Sequence, residues 1–352
     1  MWMLVGVILL AALFRGTIKQ NKTYIILIAI MLFTICALRG VRIGADLGRY
    51  ETHYRTCFQA SWSGVFAYYQ WDNILFYYLM KLHSTVVGYN FHNFLFILAV
   101  AEGIVVAYII YKHSVNPYMS YLMYMALGYY VFIYSGLKQA LATAVLMLAF
   151  DAIIDKKTVK FTLLTILAAF IHIPALIFLP AYFLGHRRLS RKMIGLYAVF
   201  AVILMVFRGQ ILEAMTDVYD SVVTSTAIGG VGGKVLMMLV FIIGGYLLRI
   251  PDGENKTYSA TFNLMIIATI LQTFAVYGNV FERLADYYFI FSIIYIPMVF
   301  EKMNLREGSE KGIIIYDINI YGILNFIIMI FSVVYFYITV HETYGLLPFM
   351  FN

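Results

Sequence analysis

"FTLLTILAAFIHIPALIFLPAYFL", residues 161–184, decides how this chain threads a membrane. It is apolar from end to end and long enough to cross, given about 17–25 residues per span. Yet His172 and Pro174 stand at its middle. Pro174 removes a backbone donor and pushes Ile173 away from helical angles. The stretch is therefore one kinked span or two half-helices meeting at a turn. Charge separates the two readings. With re-entry, the basic residues at 15–22, 112, 156–160, 187–192, 249–256 and 302–311 share one side, which holds 16 of the 25 Lys and Arg. With a full crossing, every later loop changes sides and that side keeps only 10. Cytoplasmic loops are the basic ones, so re-entry is the expectation. Irregular backbone at membrane depth is tolerated only under protein or beside a polar cavity, which places His172 near a cavity.

The rest of the chain agrees with a membrane setting. Of its 352 residues 63% are hydrophobic and only 12% charged, against about 25% charged in soluble domains. The aromatic share of 17% suits interfacial belts. Further apolar runs fall near 1–14, 23–38, 92–111, 118–134, 137–153, 193–207, 234–249, 259–277, 283–300 and 318–340. The run at 1–14 lacks a basic start and a small-residue cleavage site, and reads as a retained span rather than a signal peptide. Residues 73–88, with Lys81 and His83, read as an amphipathic interfacial helix. The expected fold is an all-α integral membrane protein, a polytopic bundle of about 10–12 transmembrane helices with a re-entrant helix pair around His172. It forms a single transmembrane domain over 1–352, with extracytoplasmic loops at 39–91 and 208–233 and both termini outside the cytoplasm. Cys36 and Cys57 show no metal-ligand spacing and read as unpaired packing residues. The net charge of +7 follows from basic loops and does not indicate nucleic acid.

Nine basic residues fall on the outer side against the usual bias and need a reason of their own. "LRGVRIGADLGRY", 38–50, gathers Arg39, Arg42 and Arg49 around Asp46, with Arg55 following. A guanidinium matches phosphate bidentately at any working pH, so Arg39 and Arg42 suit a lipid-linked phosphate or pyrophosphate. Headgroup snorkelling is the alternative and is the reading for Arg49. Asp46 suits holding an arginine or a sugar hydroxyl. Lys138 stands at the mouth of a helix whose next turns carry Ala140, Ala142, Thr143 and Ala144. Ionisable groups at that depth are site candidates. An imidazole at His172 suits a general base on a hydroxyl. Arg283 is a site candidate, with internal pairing to Asp286 as the bland alternative and Tyr287 one turn beyond it. Glu102 must face the bundle. "TSTAIGGVGGK", 224–234, reads as a flexible loop and a mobile lid, because its glycines do not follow Walker spacing. No metal cluster, Ser–His–Asp series or internal repeat is visible.

These motifs together resemble the EpsG/Wzy family of polysaccharide polymerases. The matching residues are Arg39, Gly44, Asp46 and Tyr50; Lys138, Gln139 and Ala142; His172, Ala175 and Leu176; and Arg283, Tyr287 and Pro297. Lys138 departs from the arginine of the pattern, which keeps the charge and loses the bidentate fork. The resemblance implies a metal-independent, cofactor-free glycosyltransferase of the bacterial inner membrane. It would move a growing glycan from undecaprenyl pyrophosphate onto the non-reducing end of a lipid-linked repeat unit at the outer leaflet. His172, Arg283 and Lys138 would be catalytic; Arg39, Arg42, Asp46, Tyr50, Gln139 and Tyr287 would bind substrate. Its implied partners are undecaprenyl-pyrophosphate-linked oligosaccharides and membrane lipid, with a chain-length regulator and a flippase as candidates. A lipid-linked oligosaccharide flippase, or a membrane acyltransferase acting on polysaccharide, is the other class of reading. A flippase would be expected to show repeat symmetry, and an acyltransferase has no evident need of four arginines.

Overall fold

The computed structural model describes residues 21–40, 43–216, 228–248 and 255–306, with 6, 314–315, 318–319 and 330 as isolated positions. The expected runs at 1–14 and 318–340 lie outside the described residues, apart from those isolated positions. The described chain is almost wholly helical, and its strands are the two-residue segments Ile314–Ile315 and Ile318–Asn319.

The helices follow the apolar runs and their stop signals. In order they are α1 (Asn21–Ala37), α2 (Leu47–Gln59), α3 (Trp62–Tyr69), α4 (Ile74–Val87), α5 (Phe91–His113), α6 (Pro117–Ala126), α7 (Tyr129–Phe132) and α8 (Leu137–Ile154). Next come α9 (Thr158–Ile171), α10 (Ala181–Gly185), α11 (Arg191–Thr216), α12 (Ile228–Leu247), α13 (Lys256–Thr273), α14 (Asn279–Phe289) and α15 (Ser292–Arg306). Ser61, Asn90, Asn116 and Asn255 cap their helices by accepting a first-turn backbone N–H, and Pro117 opens α6 where its missing donor costs nothing. Within the described residues four segments are long and apolar enough to cross a membrane: Phe91–His113, Leu137–Ile154, Arg191–Ala214 and Lys256–Tyr277. The pair α14–α15, bent by 57°, makes a fifth candidate, and shorter apolar helices accompany them. The protein is an all-α polytopic membrane protein.

Two stretches differ from expectation. The run at 118–134 is not one helix: α6 ends at Ala126, and Gly128 takes a φ of 87° before α7 starts. A left-handed glycine at that point terminates the helix whatever the hydropathy of its neighbours. The loop expected over 208–233 is helical at both ends, because α11 continues to Thr216 and α12 starts at Ile228. Residues 224–227 of the proposed lid lie outside the described residues, and the glycines at 229–233 belong to a helix. Glycine is more frequent in membrane helices than in soluble ones, so a glycine-rich stretch there does not end a helix by itself.

Two compact units divide the chain: Met1–Leu148 with Ile166–Ile173 and Asn319–Asn352, and Ala149–Thr165 with Pro174–Ile318. In the first, α1 packs along α5. A Cβ on Gly103 would lie 2.6 Å from Phe33, so only glycine permits that approach. Glu102 beside it is 4% exposed and faces the interior, as expected, where it feels the charge of Arg39. Helices α2 and α3 pack on α4, which fills the 73–88 position. Cys36 and Cys57 are both free and buried.

In the second unit the chain doubles back after α9. The hydroxyls of Thr158, at the start of α9, and Tyr182, in α10, share a hydrogen bond, and the Phe161 and Tyr182 rings stand 5.2 Å apart. The return arm, a 3₁₀ turn at Ile173–Phe178 followed by α10, thus ends beside the residue where α9 began. That is re-entry rather than crossing. Tyr288 of α14 donates to the Ile177 carbonyl, and Phe178 packs on Tyr288 and Phe291. The return arm is therefore held against the helix that carries Arg283.

Candidate functional site

The first unit assembles most of the residues singled out in the sequence. The GAD segment lies against the end of α7. Gly44 has a φ of +136°, and a Cβ there would meet the Tyr134 carbonyl oxygen at 2.0 Å. The Ala45 N–H donates to Ser135 Oγ at 3.0 Å. Glycine is thus required both by conformation and by space. Half-buried Asp46 sits at the N-terminus of α2, a position that favours negative charge. One turn on, the Tyr50 hydroxyl accepts from the Lys138 backbone N–H at 3.5 Å.

Lys138, half-buried at the start of α8, reaches the Tyr77 hydroxyl at 3.5 Å and lies 5.6 Å from the centre of its ring. Tyr77 is fixed from behind by Tyr69, stacked at 3.5 Å with only 10° between the planes. His53 Nδ1 in turn pairs with the Tyr69 hydroxyl at 3.0 Å. Gln139 is buried, at 3% exposure, beside Lys138.

The hairpin tip meets the same helix turn. His172 is 3% exposed and ends α9, its N–H donating to Ala168. Ile173 N–H, freed by the helix break, donates to Asn73 Oδ1 at 3.1 Å. Asn73 is fully buried in the left-handed region at φ 51°, which asparagine tolerates better than most residues. It caps α4, and Tyr77 follows four residues later, one turn and about 6 Å along the axis. One turn of α4 therefore holds the His172 break at its start and Lys138 at its end. Sequence reasoning missed Asn73 and Tyr77.

Arg39 occupies a different environment. It is 1% exposed. Its Nη1 donates to the Cys36 carbonyl at 2.9 Å and Sγ at 2.7 Å, its Nη2 to the Ile133 carbonyl at 3.4 Å, and the guanidinium lies 4.7 Å from the Tyr134 ring centre. Tyr134 is tied through the Tyr130 hydroxyl to the Leu32 carbonyl. Both Nη nitrogens thus donate to protein carbonyls, while the buried Nε has no hydrogen-bond partner among the described residues. Arg42 lies outside the described residues. Arg49 and Arg55 are exposed, the latter over the Tyr89 ring at 5.8 Å.

In the second unit, Arg283 is half-buried on α14 and Tyr287 is fully buried one turn later. Asp286 also meets a cation the sequence did not suggest. Lys234 Nζ lies 3.0 Å from Asp286 and 3.2 Å from Glu282, with the Phe289 ring 4.8 Å away. Lys234 is the cation at the end of the glycine-rich stretch, and its membership of a helix is what delivers it to α14.

A polytopic helical membrane protein with a re-entrant hairpin and a lysine–histidine turn is the class that fold and site define. The chain belongs to the EpsG family, whose family model matches residues 22–351. This places it among polysaccharide-polymerase-like membrane proteins of polysaccharide biosynthesis. No curated relative and no solved structure matches it at significance.

Proposed function

We propose that the protein is a glycan polymerase that transfers a growing chain from undecaprenyl pyrophosphate to the non-reducing end of a lipid-linked repeat unit. The observation that carries this reading is the α4 turn, which serves Lys138 and the His172 break together in a chain of this family. Lys138 is the cation for the donor pyrophosphate. An ammonium held by an aromatic hydroxyl in a half-buried site stabilises charge developing on the leaving group. His172 accepts the proton of the attacking sugar hydroxyl, and Asn73 sets the position of that imidazole through the next residue's N–H. Arg283 is assigned as a phosphate ligand on its family motif, with Tyr287 packing the helix behind it. Arg39 acts from inside, tying the end of α1 to the end of α7. The charge bias supports an orientation with the 156–160 and 187–192 end in the cytoplasm and the 39–91 segment at the outer leaflet of the bacterial inner membrane.

The test is incubation of the purified protein with defined lipid-linked repeat units, read by mass spectrometry. Ladders of longer lipid-linked chains that vanish in Lys138→Ala and His172→Ala are expected. Elongation unchanged in both variants would overturn the assignment. Transport of lipid-linked oligosaccharide in vesicles without elongation would establish a flippase instead.

A further inference from the structure

A concave site in the second unit is lined by none of the residues assigned to transfer. It is a cavity of about 260 Å³ bounded by Ile153, Lys156, Gly185, His186, Arg188, Lys256 and Ser259. Its floor is tightly built: a Cβ on Gly185 would meet Ile153 Cγ2 at 2.6 Å. His186 closes one wall, with Nδ1 facing the Tyr182 carbonyl and Nε2 the Ile153 carbonyl, each at 2.6 Å. The two backbone carbonyls hold the ring in place as part of that wall. Lys256 sits in the first turn of α13, where unpaired N–H groups add positive potential. The described side chains lining the cavity include no carboxylate. The nearest in sequence, Asp155, is paired with Lys157 at 3.2 Å.

We infer that this cavity binds the phosphate of an anionic phospholipid headgroup. A volume just below the usual range for small-molecule pockets suits a single phosphorylated headgroup, not a lipid-linked oligosaccharide. Basic pockets among membrane helices bind such headgroups. The neighbouring surface points to a lipid as the source of that phosphate. Residues 157–164 border an open groove of about 680 Å³, lined by Val159, Leu163 and Leu164 and edged by Lys157 and Lys160. Val159 and Leu163 are 74% and 63% exposed, surface suited to an acyl chain.

The experiment is native mass spectrometry of the full chain in detergent, titrated with phosphatidylglycerol or phosphatidylcholine. The wild type is expected to retain phosphatidylglycerol preferentially. A Lys156→Gln/Arg188→Gln/Lys256→Gln variant should bind it about a hundredfold more weakly, from three lost cations near the membrane surface. Lys156→Arg/Arg188→Lys/Lys256→Arg should bind as the wild type, which separates lost charge from lost fold. Inorganic phosphate in lipid-free detergent gives the second arm. If phosphate raises the melting temperature of the wild type and not of the glutamine variant, with no phosphatidylglycerol preference, the anion site stands and its lipid source is overturned. Equal binding of both lipids and no phosphate effect, in wild type and glutamine variant alike, overturns the site.

Discussion

Arg39 and Lys138 read alike in the sequence, as outer basic residues suited to phosphate, and the fold treats them as opposites. Arg39 turns inward at the end of α1 and spends its donors on Cys36 and Ile133. Lys138 stops at a phenol and remains half-buried. A cation at a helix end can snorkel outward or be drawn inward, and a carbonyl 94 residues away decides which. The comparison predicts that Arg39→Ala fails as a folding variant. Losing the guanidinium strands the buried Cys36 and Ile133 carbonyls it serves, at about 1–3 kcal/mol for each. Thermal melting in detergent and membrane abundance should both collapse. Arg39→Met, which refills the space without restoring the donors, should recover part of the loss. An Arg39→Ala protein that melts normally but makes no polymer would return Arg39 to the substrate and dissolve the contrast.

Lys138→Ala should do the reverse. Its fold should persist, with elongation lowered about 10²–10³-fold, the scale of losing one charge-stabilising donor. Lys138→Arg keeps the charge the family pattern prefers and should retain most of the activity. A melting temperature that falls as far as in Arg39→Ala would show that both residues are structural.

Asn73 tests the link between the two halves of the α4 turn. Asn73→Ala strands the Ile173 N–H and forces alanine into the left-handed region, at about 1–3 kcal/mol for each defect. Asn73→Gly removes the side chain but suits the backbone. If positioning of His172 is what matters, both variants lose elongation while only the alanine form loses much stability. A shifted pH profile for elongation in Asn73→Gly would show that the imidazole has moved, an effect that a merely structural asparagine would not produce.

The sequence carried the helices well, because twenty-residue apolar runs have few other fates in a membrane. It also carried the break at His172, because Pro174 cannot continue the ladder and the basic loops report which way the chain returns. It did not carry Lys234. Glycines at 229–233 signal a loop in a soluble chain, but glycine is frequent inside membrane helices. Only the folded chain shows that Lys234 reaches Asp286. Asn73 was equally hidden: its partner is 100 residues away, and a lone asparagine before an amphipathic helix signals only a cap.

The smallest expected effect lies in the wall behind Lys138. Cys57 is fully buried against Tyr69, the ring that stacks on Tyr77, and burial pushes its thiol from 9.0 up to about 11. Two units leave about a hundredth of the thiolate of an ordinary cysteine near neutral pH, and the thiolate is the reactive form. In a Cys36→Ser background, maleimide should label Cys57 slowly at pH 7.4 and faster as the pH rises toward 11. Ser63→Cys, on the exposed side of α3, supplies the fast standard. Lys138→Ala should leave the Cys57 rate within about twofold, since that lysine sits in front of the stack and does not support it. Arg39→Ala should raise it toward the Ser63→Cys standard, because loosening the interior opens the wall. Equal acceleration by both substitutions would mean that the lysine mouth and the arginine interior are one cooperative unit, and that the distinction between ligand and clamp does not hold.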